Sequence, residues 1–327
     1  MPNSLFLMRN GAIVWKATVA KKTSSLDKHF THFLAPKHWL TWCAMGIAYL
    51  LSFLPWSLQQ SVGKYLGRFL HAIAKRRRHI CDVNLKICYP DLTKSERKKL
   101  TKDHFESMGK GTIETFASWF QDQKKYQHRI TFEGQEVIDK VLAKGRGCIL
   151  ISGHFSSLDI CGSQMPRFLD VHPIYKLQKN QVMNWVMERQ RQAIFSKTIE
   201  RTNMREVLKS LKQNKAVWYA VDQDYGRKNS VFAPFYGRQC ATIAHIGRIA
   251  NMTNAPVVLY DYGRTEKGYH LRLVEVENYP TQDDVENATR INELMQAVIE
   301  PKKAQYFWSH RRFKTQPIAG DPSPYNK

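Results

Sequence analysis

The chain has 327 residues, of which 43% are hydrophobic and 12% aromatic. This composition excludes a disordered protein and provides a large buried core. Fifty Lys and Arg residues against 28 Asp and Glu residues give a net charge of +22. The excess predicts a negatively charged partner, such as nucleic acid, an anionic membrane or an acidic substrate. The six cysteines form no C-x-x-C pair and no Cys–His spacing that suits zinc, so we expect neither a metal nor a cofactor.

An uncharged apolar run, WLTWCAMGIAYLLSFLPW, occupies residues 39–56. As a helix it would span about 27 Å, slightly less than the hydrocarbon core of a bilayer. Tryptophans at its ends are typical of membrane interfaces. We therefore expect an N-terminal membrane anchor helix over residues 38–56, with a buried core helix as the alternative. Residues 1–37 before it form a basic N-terminal extension.

Residues 57–79 continue with apolar residues at helical spacing and end in a basic run, Lys75–Arg78. This pattern predicts an amphipathic helix that lies on an anionic membrane surface. An ordinary surface helix is the alternative.

Past residue 80, helical and strand-like segments alternate, and no linker divides residues 80–316. Thr93 and Glu96 make a capping box for a helix over residues 91–120. Strands are predicted at residues 148–152, 216–222, 256–262 and 269–277, and further helices at 180–195, 203–213, 241–252 and 281–299. The alternation predicts an α/β fold with a mixed, largely parallel central sheet flanked by helices. Residues 317–327 indicate a loose C-terminal tail.

A histidine followed five positions later by an acid is expected by chance in this composition, and the sequence has three such pairs: His154/Asp159, His128/Glu133 and His270/Glu275. The His270 pair lies in an alternating strand, on opposite faces. The His128 pair lies in a polar stretch. His154 alone follows an apolar strand and precedes a helix, which is where open α/β sheets place their ligands.

His154 and Asp159 are therefore the candidate catalytic pair. An offset of five is about 140° around a regular helix, so the pair meets only if His154 lies in the turn before the helix. Ser156 or Ser157 would then be the N-cap. Asp159 would accept a hydrogen bond from one imidazole nitrogen and leave the other free to take a proton. A structural histidine is the alternative, and the absence of G-x-S-x-G disfavours a serine nucleophile.

Four segments resemble the late acyltransferases of lipid A biosynthesis, which transfer lauroyl and myristoyl groups: NLKICYPDLT (84–93), GRGCILISGHFSSLD (145–159), VWYAVDQDYGRKNSVFAPFYGRQCATIAHIGRIA (217–250) and YFWSHRRFKTQP (306–317). The resemblance implies that residues 80–316 form an acyltransferase domain of glycerolipid-acyltransferase-like fold. It also implies that His154 and Asp159 carry catalysis. An aspartate at position 159 favours the myristoyltransferase branch.

The resemblance further implies acyl transfer without an acyl-enzyme. His154 would take the proton from a hydroxyl of a hydroxyacyl chain on a phosphorylated glucosamine disaccharide, and that oxygen would attack the thioester of an acyl carrier protein. The implied partners are thus the carrier protein, the glucosamine lipid and an anionic membrane, but no nucleic acid. The implied location is the inner membrane, with the catalytic domain facing the cytoplasm.

Five further residues are candidates for substrate binding. Arg189 and Arg191 resemble an arginine-bearing block of the family, and guanidinium groups bind phosphate in bidentate fashion. A solvated basic helix face is the alternative for both. Asp222 and Asp224 follow a strand end, where they either shape the site or form a structural turn. Arg238 is a weaker candidate for contacting phosphate.

Two other kinds of protein fit parts of the pattern. A phospholipid acyltransferase acting on lysophosphatidic acid or glycerol phosphate also uses His-x4-Asp, but it carries a P-E-G block where this chain has APFYGR (233–238). A basic nucleic-acid-binding protein or a membrane scaffold would be a non-enzyme. The sequence has no recognisable nucleic-acid-binding motif.

Overall fold

The computed structural model of the protein describes residues 30–326. These residues contain ten α-helices: α1 Trp39–Ser52, α2 Trp56–Ile73, α3 Lys75–Cys88, α4 Lys94–Phe120, α5 Gln135–Leu142, α6 Leu158–Gln164, α7 Gln181–Ile194, α8 Met204–Lys212, α9 His245–Thr253 and α10 Asp284–Ile299. They also contain nine strands: β1 Ile130–Glu133, β2 Cys148–Ser152, β3 Val171–Tyr175, β4 Ile199–Glu200, β5 Ala216–Ala220, β6 Ser230–Phe235, β7 Arg238–Ile243, β8 Val257–Arg264 and β9 Tyr269–Glu275.

Seven of these strands form one sheet in the order β1-β9-β8-β2-β5-β3-β4, and β6 and β7 form a separate hairpin. Neighbours in the large sheet are parallel except β8 and β9. The predicted α/β fold with a largely parallel sheet and flanking helices is confirmed. All five residues of β2 are buried. Its uninterrupted apolar run suits a central strand that is covered on both faces.

The four predicted strands all form, as β2, β5, β8 and β9. The capping box is also present, with the Thr93 hydroxyl accepting from the backbone N–H of Glu96. The helix predicted at residues 241–252 begins later, at His245, because the residues before it pair in the β6–β7 hairpin. Strands β1, β3 and β4 were not predicted, since they are short and lack clear alternation.

The predicted anchor helix over residues 38–56 is corrected by the structure. Helix α1 ends at Ser52, a turn follows, and α2 begins at Trp56 after Pro55. Fourteen residues of helix are about 21 Å long, well short of a hydrocarbon core. Within residues 30–326, no helix combines the length and the apolar character needed to cross a membrane. The basic N-terminal extension lies, up to residue 29, outside the described residues.

The amphipathic helix predicted for residues 57–79 is divided in two. Helix α2 ends at Ile73, and the basic run opens α3 after Ala74, whose ψ of 60° is not helical. The buried face of α2 is its small-residue stripe, in which Gly63 and Gly67 pack against the backbone of α4. A Cβ at Gly67 would lie 2.1 Å from the carbonyl oxygen of Phe105, so the two helices approach as closely as backbones allow.

The apolar stripe of α2 consequently points outward, and α1 also carries exposed apolar side chains. Twelve of the fifteen exposed large hydrophobic side chains in residues 30–326 lie between residues 30 and 73: Phe30, Leu34, Trp39, Leu40, Ile47, Tyr49, Leu50, Phe53, Leu58, Tyr65, Phe69 and Ile73. We call this set the N-terminal apolar face. A concentration of this kind marks an interaction surface.

The C-terminal tail, expected to be loose, is attached to the domain near its end. Tyr325 is 4% exposed, and its hydroxyl bonds to Asn84 of α3 and accepts from the backbone N–H of Phe313. Lys327 lies outside the described residues.

Candidate active site

His154 lies at the carboxyl edge of the sheet, two residues after β2. Strand β2 pairs in parallel with β5, and the register matches Ser152 with Ala220. His154 and Asp222 each follow these partners by two residues, so the parallel pairing brings them side by side. Ser157 is the N-cap of α6. His154 therefore lies in the turn before the helix, as the candidate pair required.

Both carboxylate oxygens of Asp222 bond to His154. Nδ1 of the ring lies 2.6 Å from Oδ1, and the backbone N–H of His154 donates to Oδ2 at 2.8 Å. A carboxylate only accepts, so Nδ1 carries the proton and Nε2 of the neutral ring keeps the lone pair. The His154 side chain is 28% exposed and that of Asp222 only 3%. A buried carboxylate thus holds an accessible base.

The two groups shift each other's protonation. Burial lowers the pKa of His154, but the charge and hydrogen bond of Asp222 outweigh burial and raise that pKa above its ordinary value, with a smaller contribution from Asp159. Burial raises the pKa of Asp222, but His154 outweighs it and lowers that pKa to about 2. Asp222 is therefore ionised at neutral pH, and His154 is a stronger base than a free histidine.

Asp159, the predicted partner of His154, bonds to other groups. Its carboxylate accepts from the hydroxyl of Thr115 at 3.0 Å and from the guanidinium of Arg191 at 3.3 Å. The imidazole hydrogen bond expected for Asp159 is made by Asp222 instead, because the register of β2 and β5 sets Asp222 directly beside the ring. Asp159 still contributes to the electrostatic field at His154.

A small, largely apolar pocket adjoins the Asp159–Arg191 ion pair. Its apolar walls come from α4, α6, β5 and the end of α7: Trp119, Leu158, Ile194, Phe195 and Trp218. The pocket therefore joins a charged pair to hydrophobic walls next to the turn that carries His154.

Helix α4 packs closely against the backbone of the turn that follows His154. A Cβ at Gly111 would lie 2.1 Å from the carbonyl oxygen of Ser156, so only glycine fits there without displacing the turn. The hydroxyl of Ser156 lies 2.7 Å from that of Ser107, also on α4. The backbone N–H of Ser156 donates to the carbonyl of Gln305 at 2.8 Å.

A buried ion pair lies next to this turn. Arg264 of β8 donates two hydrogen bonds of 2.5 Å to Glu114 of α4, and their side chains are 7% and 1% exposed. Arg264 also reaches the hydroxyl of Ser156 at 3.4 Å. Glu114 accepts a further bond from Tyr269 at 2.8 Å. The pair thereby ties α4, β8 and β9 to the turn that carries His154.

The side chain of Asp224 stabilises the loop after β5 by accepting hydrogen bonds from it and from the C-terminal segment. Its carboxylate accepts from the backbone N–H of Gly226 at 2.8 Å and from the N–H and hydroxyl of Thr315 at 2.7 and 2.8 Å. Its side chain is 1% exposed. Two roles were considered for Asp224, shaping the site or forming a structural turn, and these contacts favour the structural turn. His310 accepts from the backbone N–H of Asp224 at 3.1 Å, and burial lowers the pKa of His310 to about 4.

The three predicted arginines occupy different positions. Among the described residues, Arg191 is the one that contacts the predicted pair, through Asp159. Arg189 is exposed and stacks over Trp185 with 5.3 Å between the guanidinium carbon and the ring centre. Arg238 is exposed at the start of β7 and lies 3.4 Å from the side chain of Gln316.

Gln223 and Tyr262 are two site residues that the sequence did not indicate. The amide nitrogen of Gln223 lies 3.3 Å from Nε2 of His154. The Tyr262 hydroxyl donates to the carbonyl of Gly153 at 2.7 Å. For Gln223 a signal existed, since it directly follows Asp222 at the same strand end. For Tyr262 there was none, because contact depends on β8 lying beside β2.

Comparisons with known proteins all point to the same family. The sequence pattern of the family described as bacterial lipid A biosynthesis acyltransferase matches residues 26–315. The chain is 34% identical to the lipid A biosynthesis palmitoleoyltransferase of Escherichia coli (strain K12), over 91% of this chain and 98% of that protein. It is 33% identical to the lipid A biosynthesis lauroyltransferase of the same organism, over 92% of this chain and 100% of that protein.

The lipid A biosynthesis myristoyltransferase of Escherichia coli (strain K12) is 24% identical, over 92% of this chain and 94% of that protein. The expectation that the chain belongs to the myristoyltransferase branch stays a prediction. The identity to the myristoyltransferase is lower than the identities to the palmitoleoyltransferase and the lauroyltransferase, so it gives that expectation no support. The match over residues 26–315 and the two relatives above 30% identity are decisive for the family: the chain is an acyltransferase and belongs to the bacterial lipid A biosynthesis acyltransferases.

Proposed function

We propose that the chain transfers a fatty acyl group from the thioester of an acyl carrier protein to a hydroxyl of a hydroxyacyl chain on a lipid A precursor. The observation that carries this proposal is the contact between His154 and Asp222, with Nδ1 bonded to the buried carboxylate and Nε2 free of protons at an accessible edge. The names of the relatives support a lipid A acceptor.

In the proposed reaction, His154 is the general base. Nε2 takes the proton of the acceptor hydroxyl, and the oxygen attacks the thioester carbon. Asp222 holds the tautomer with the proton on Nδ1 and stabilises the imidazolium that forms. The C–S bond then breaks, and the proton on Nε2 passes to the departing sulfur. This assigns to Asp222 the orienting role that the sequence assigned to Asp159.

Asp159 and Arg191 are proposed to act on the substrate instead. Their ion pair lies beside the apolar pocket, where a guanidinium can contact a phosphate or the polar part of an acyl donor. Arg189 and Arg238 are exposed and remain candidates for binding phosphate at the rim.

The proposed location is the cytoplasmic side of the inner membrane. The N-terminal apolar face supports contact with a lipid surface, and the basic run that opens α3 supports a preference for anionic lipid. In this proposal, helices α1 and α2 lie in the membrane interface and take the place of the spanning anchor expected from residues 38–56.

The proposed function is tested by an acyl transfer assay on detergent-extracted full-length protein. The donor is an acyl carrier protein thioester, and two acceptors are compared: a tetra- or penta-acylated glucosamine lipid and lysophosphatidic acid. We expect transfer to the glucosamine lipid by the wild type and a loss of about 10²–10⁴-fold in His154→Ala. Transfer to lysophosphatidic acid alone would establish the phospholipid acyltransferase instead, and full activity of the variant would remove His154 from the mechanism.

A further inference from the structure

Gln223 contacts the nitrogen of His154 that takes the proton in the proposed reaction. Its side-chain amide nitrogen lies 3.3 Å from Nε2. Since Nδ1 faces the carboxylate of Asp222, Nε2 of the neutral ring offers a lone pair, and the amide N–H is the donor in this contact. The amide therefore occupies the direction from which an acceptor hydroxyl has to approach.

This contact cannot persist through the reaction. Once Nε2 has taken a proton it becomes a donor, and an amide N–H cannot bond to it. The amide has to move away or turn when the hydroxyl arrives. Gln223 is half-buried in the loop after β5 and directly follows Asp222, so its backbone stays beside the His154–Asp222 pair when the amide moves.

Two backbone donors close to the reacting position are already committed. The backbone N–H of His154 is used by Asp222, and that of Ser156 by the carbonyl of Gln305. Both belong to the turn before α6, whose N–H groups would otherwise be the obvious donors to a reacting oxygen. The amide of Gln223 is a neutral donor already directed at the reacting nitrogen.

We propose that Gln223 is a catalytic residue of the acyl transfer, whose amide covers Nε2 in the empty site and donates the same hydrogen bond to the acceptor hydroxyl oxygen once that hydroxyl has displaced it. The proposal rests on the proposed function. The hydroxyl proton passes to Nε2, the oxygen forms the new ester bond, the thioester C–S bond breaks, and the proton leaves with the sulfur.

Any titration of His154 also reflects the other ionisable groups that interact with His154 or with Asp222. These come from the loop after β5, from α6, from β8 and from the C-terminal segment: Asp222, Asp159, Tyr262, Tyr306 and His310. The test therefore changes Gln223 alone and keeps this set constant.

The contact is tested by NMR titration of His154 in the ligand-free full-length protein. A donor to the lone pair stabilises the neutral ring, so Gln223→Ala raises the pKa of His154. Gln223→Glu replaces the donor by a carboxylate and raises that pKa by about 1–3 units. The matched control Gln213→Glu changes an exposed glutamine before β5, at the opposite edge of the sheet, and leaves the titration as in the wild type. Identical titration curves in all four proteins would overturn the contact.

The catalytic role is tested by kinetics of the same variants. We expect Gln223→Ala to lower kcat about 10–100-fold with little change in the KM of the acyl donor, and Gln223→Glu to move the acid limb of kcat/KM to higher pH. An unchanged kcat in Gln223→Ala would overturn the proposal even with an altered titration. An inactive wild type would refute the proposed function and the catalytic role together. An active wild type with an unresponsive titration would refute the proposal on Gln223 alone.

Discussion

His154 has one nitrogen bonded to a buried carboxylate and the other covered by a neutral amide. The first contact makes the ring more basic, and the second favours its neutral form. Because Asp222 is almost fully buried and ionised, it favours the tautomer of His154 with the proton on Nδ1. This arrangement suits the general base proposed above, because its tautomer is set before substrate arrives.

The pH dependence of transfer follows from the raised pKa of His154. A general base acts as the neutral ring, so kcat/KM falls as pH decreases through that pKa, which Asp222 raises above 6.5. In Asp222→Asn the opposing charge is gone and burial dominates, so we expect the acid limb to move to lower pH. A pH–rate profile of both proteins measures this, and an acid limb at the same pH in both would contradict the coupling.

The sequence singled out His154 but not the carboxylate that bonds to its ring. His154 stood out because an apolar strand, a glycine and a helix surround it. Asp222 was named as a residue that shapes the site, yet its contact with His154 joins positions 68 apart. The contact depends on β5 lying beside β2, and strand order is not contained in local spacing. Asp159 was favoured because it belongs to the same strand–turn–helix segment as His154 and because the family resemblance implies a His-x4-acid pair.

Helix α4 is the element that holds the site in place. It packs against α2 through glycines, contacts the His154 turn through Gly111 and Ser107, and carries Glu114 for the buried ion pair. The backbone contact of Gly111 and the ion pair of Glu114 can each be disturbed by a single substitution.

Gly111→Ala is expected to damage activity more than folding. The added Cβ would lie 2.1 Å from the carbonyl of Ser156, so the turn that carries His154 has to shift. A displacement of this size is expected to reduce kcat about 100-fold. The control Gly46→Ala, in α1, adds a Cβ with nothing within 4 Å. Comparable activity of the two variants in the transfer assay would show that the turn does not depend on this contact.

Glu114→Ala is expected to destabilise the fold strongly. It leaves the buried guanidinium of Arg264 without a counter-charge, which costs about 3–5 kcal/mol in the free energy of unfolding. Asp103→Ala breaks an ion pair with Lys99 at the surface and is expected to cost less than about 1 kcal/mol. Denaturant unfolding of both variants measures the difference, and equal losses would contradict the structural role of the buried pair.

Among residues 30–326, the exposed large apolar side chains are concentrated in the N-terminal segment, residues 30–73. The N-terminal apolar face combines the outward faces of α1 and α2, while the small residues of α2 are turned inward against α4. This distribution suits a protein that lies on a lipid surface with part of its N-terminal helices in the interface.

Leu50→Glu is expected to weaken binding to vesicles of anionic phospholipid about tenfold, because a 70% exposed leucine of the N-terminal apolar face then carries a charge. Met252→Glu changes a 62% exposed side chain on α9, outside that face, and serves as the control. Co-sedimentation with vesicles measures both. Equal binding of the two variants would place the lipid contact elsewhere.

The global fold was largely predictable, because strands and helices alternate clearly after residue 80. The N-terminal helices were not predictable in the same way, because the uncharged apolar run of residues 39–56 has nearly the length of a spanning helix. In the structure α1 ends at Ser52, and a turn and Pro55 separate it from α2. The hairpin β6–β7 was missed because its two-residue turn is Tyr236-Gly237 and not the more usual Asn-Gly or Asp-Gly, and because Pro234 interrupts the strand pattern before it.

In the proposed mechanism Asp222 orients the base of the acyl transfer, and Asp159 acts elsewhere. The most direct test compares kcat for transfer from acyl carrier protein to the glucosamine lipid in Asp222→Asn and Asp159→Asn. We predict a loss of about 10²–10⁴-fold in Asp222→Asn, from the wrong tautomer of His154, and a loss below about tenfold with a raised KM in Asp159→Asn. A near-normal kcat in Asp222→Asn together with an inactive Asp159→Asn would contradict the account.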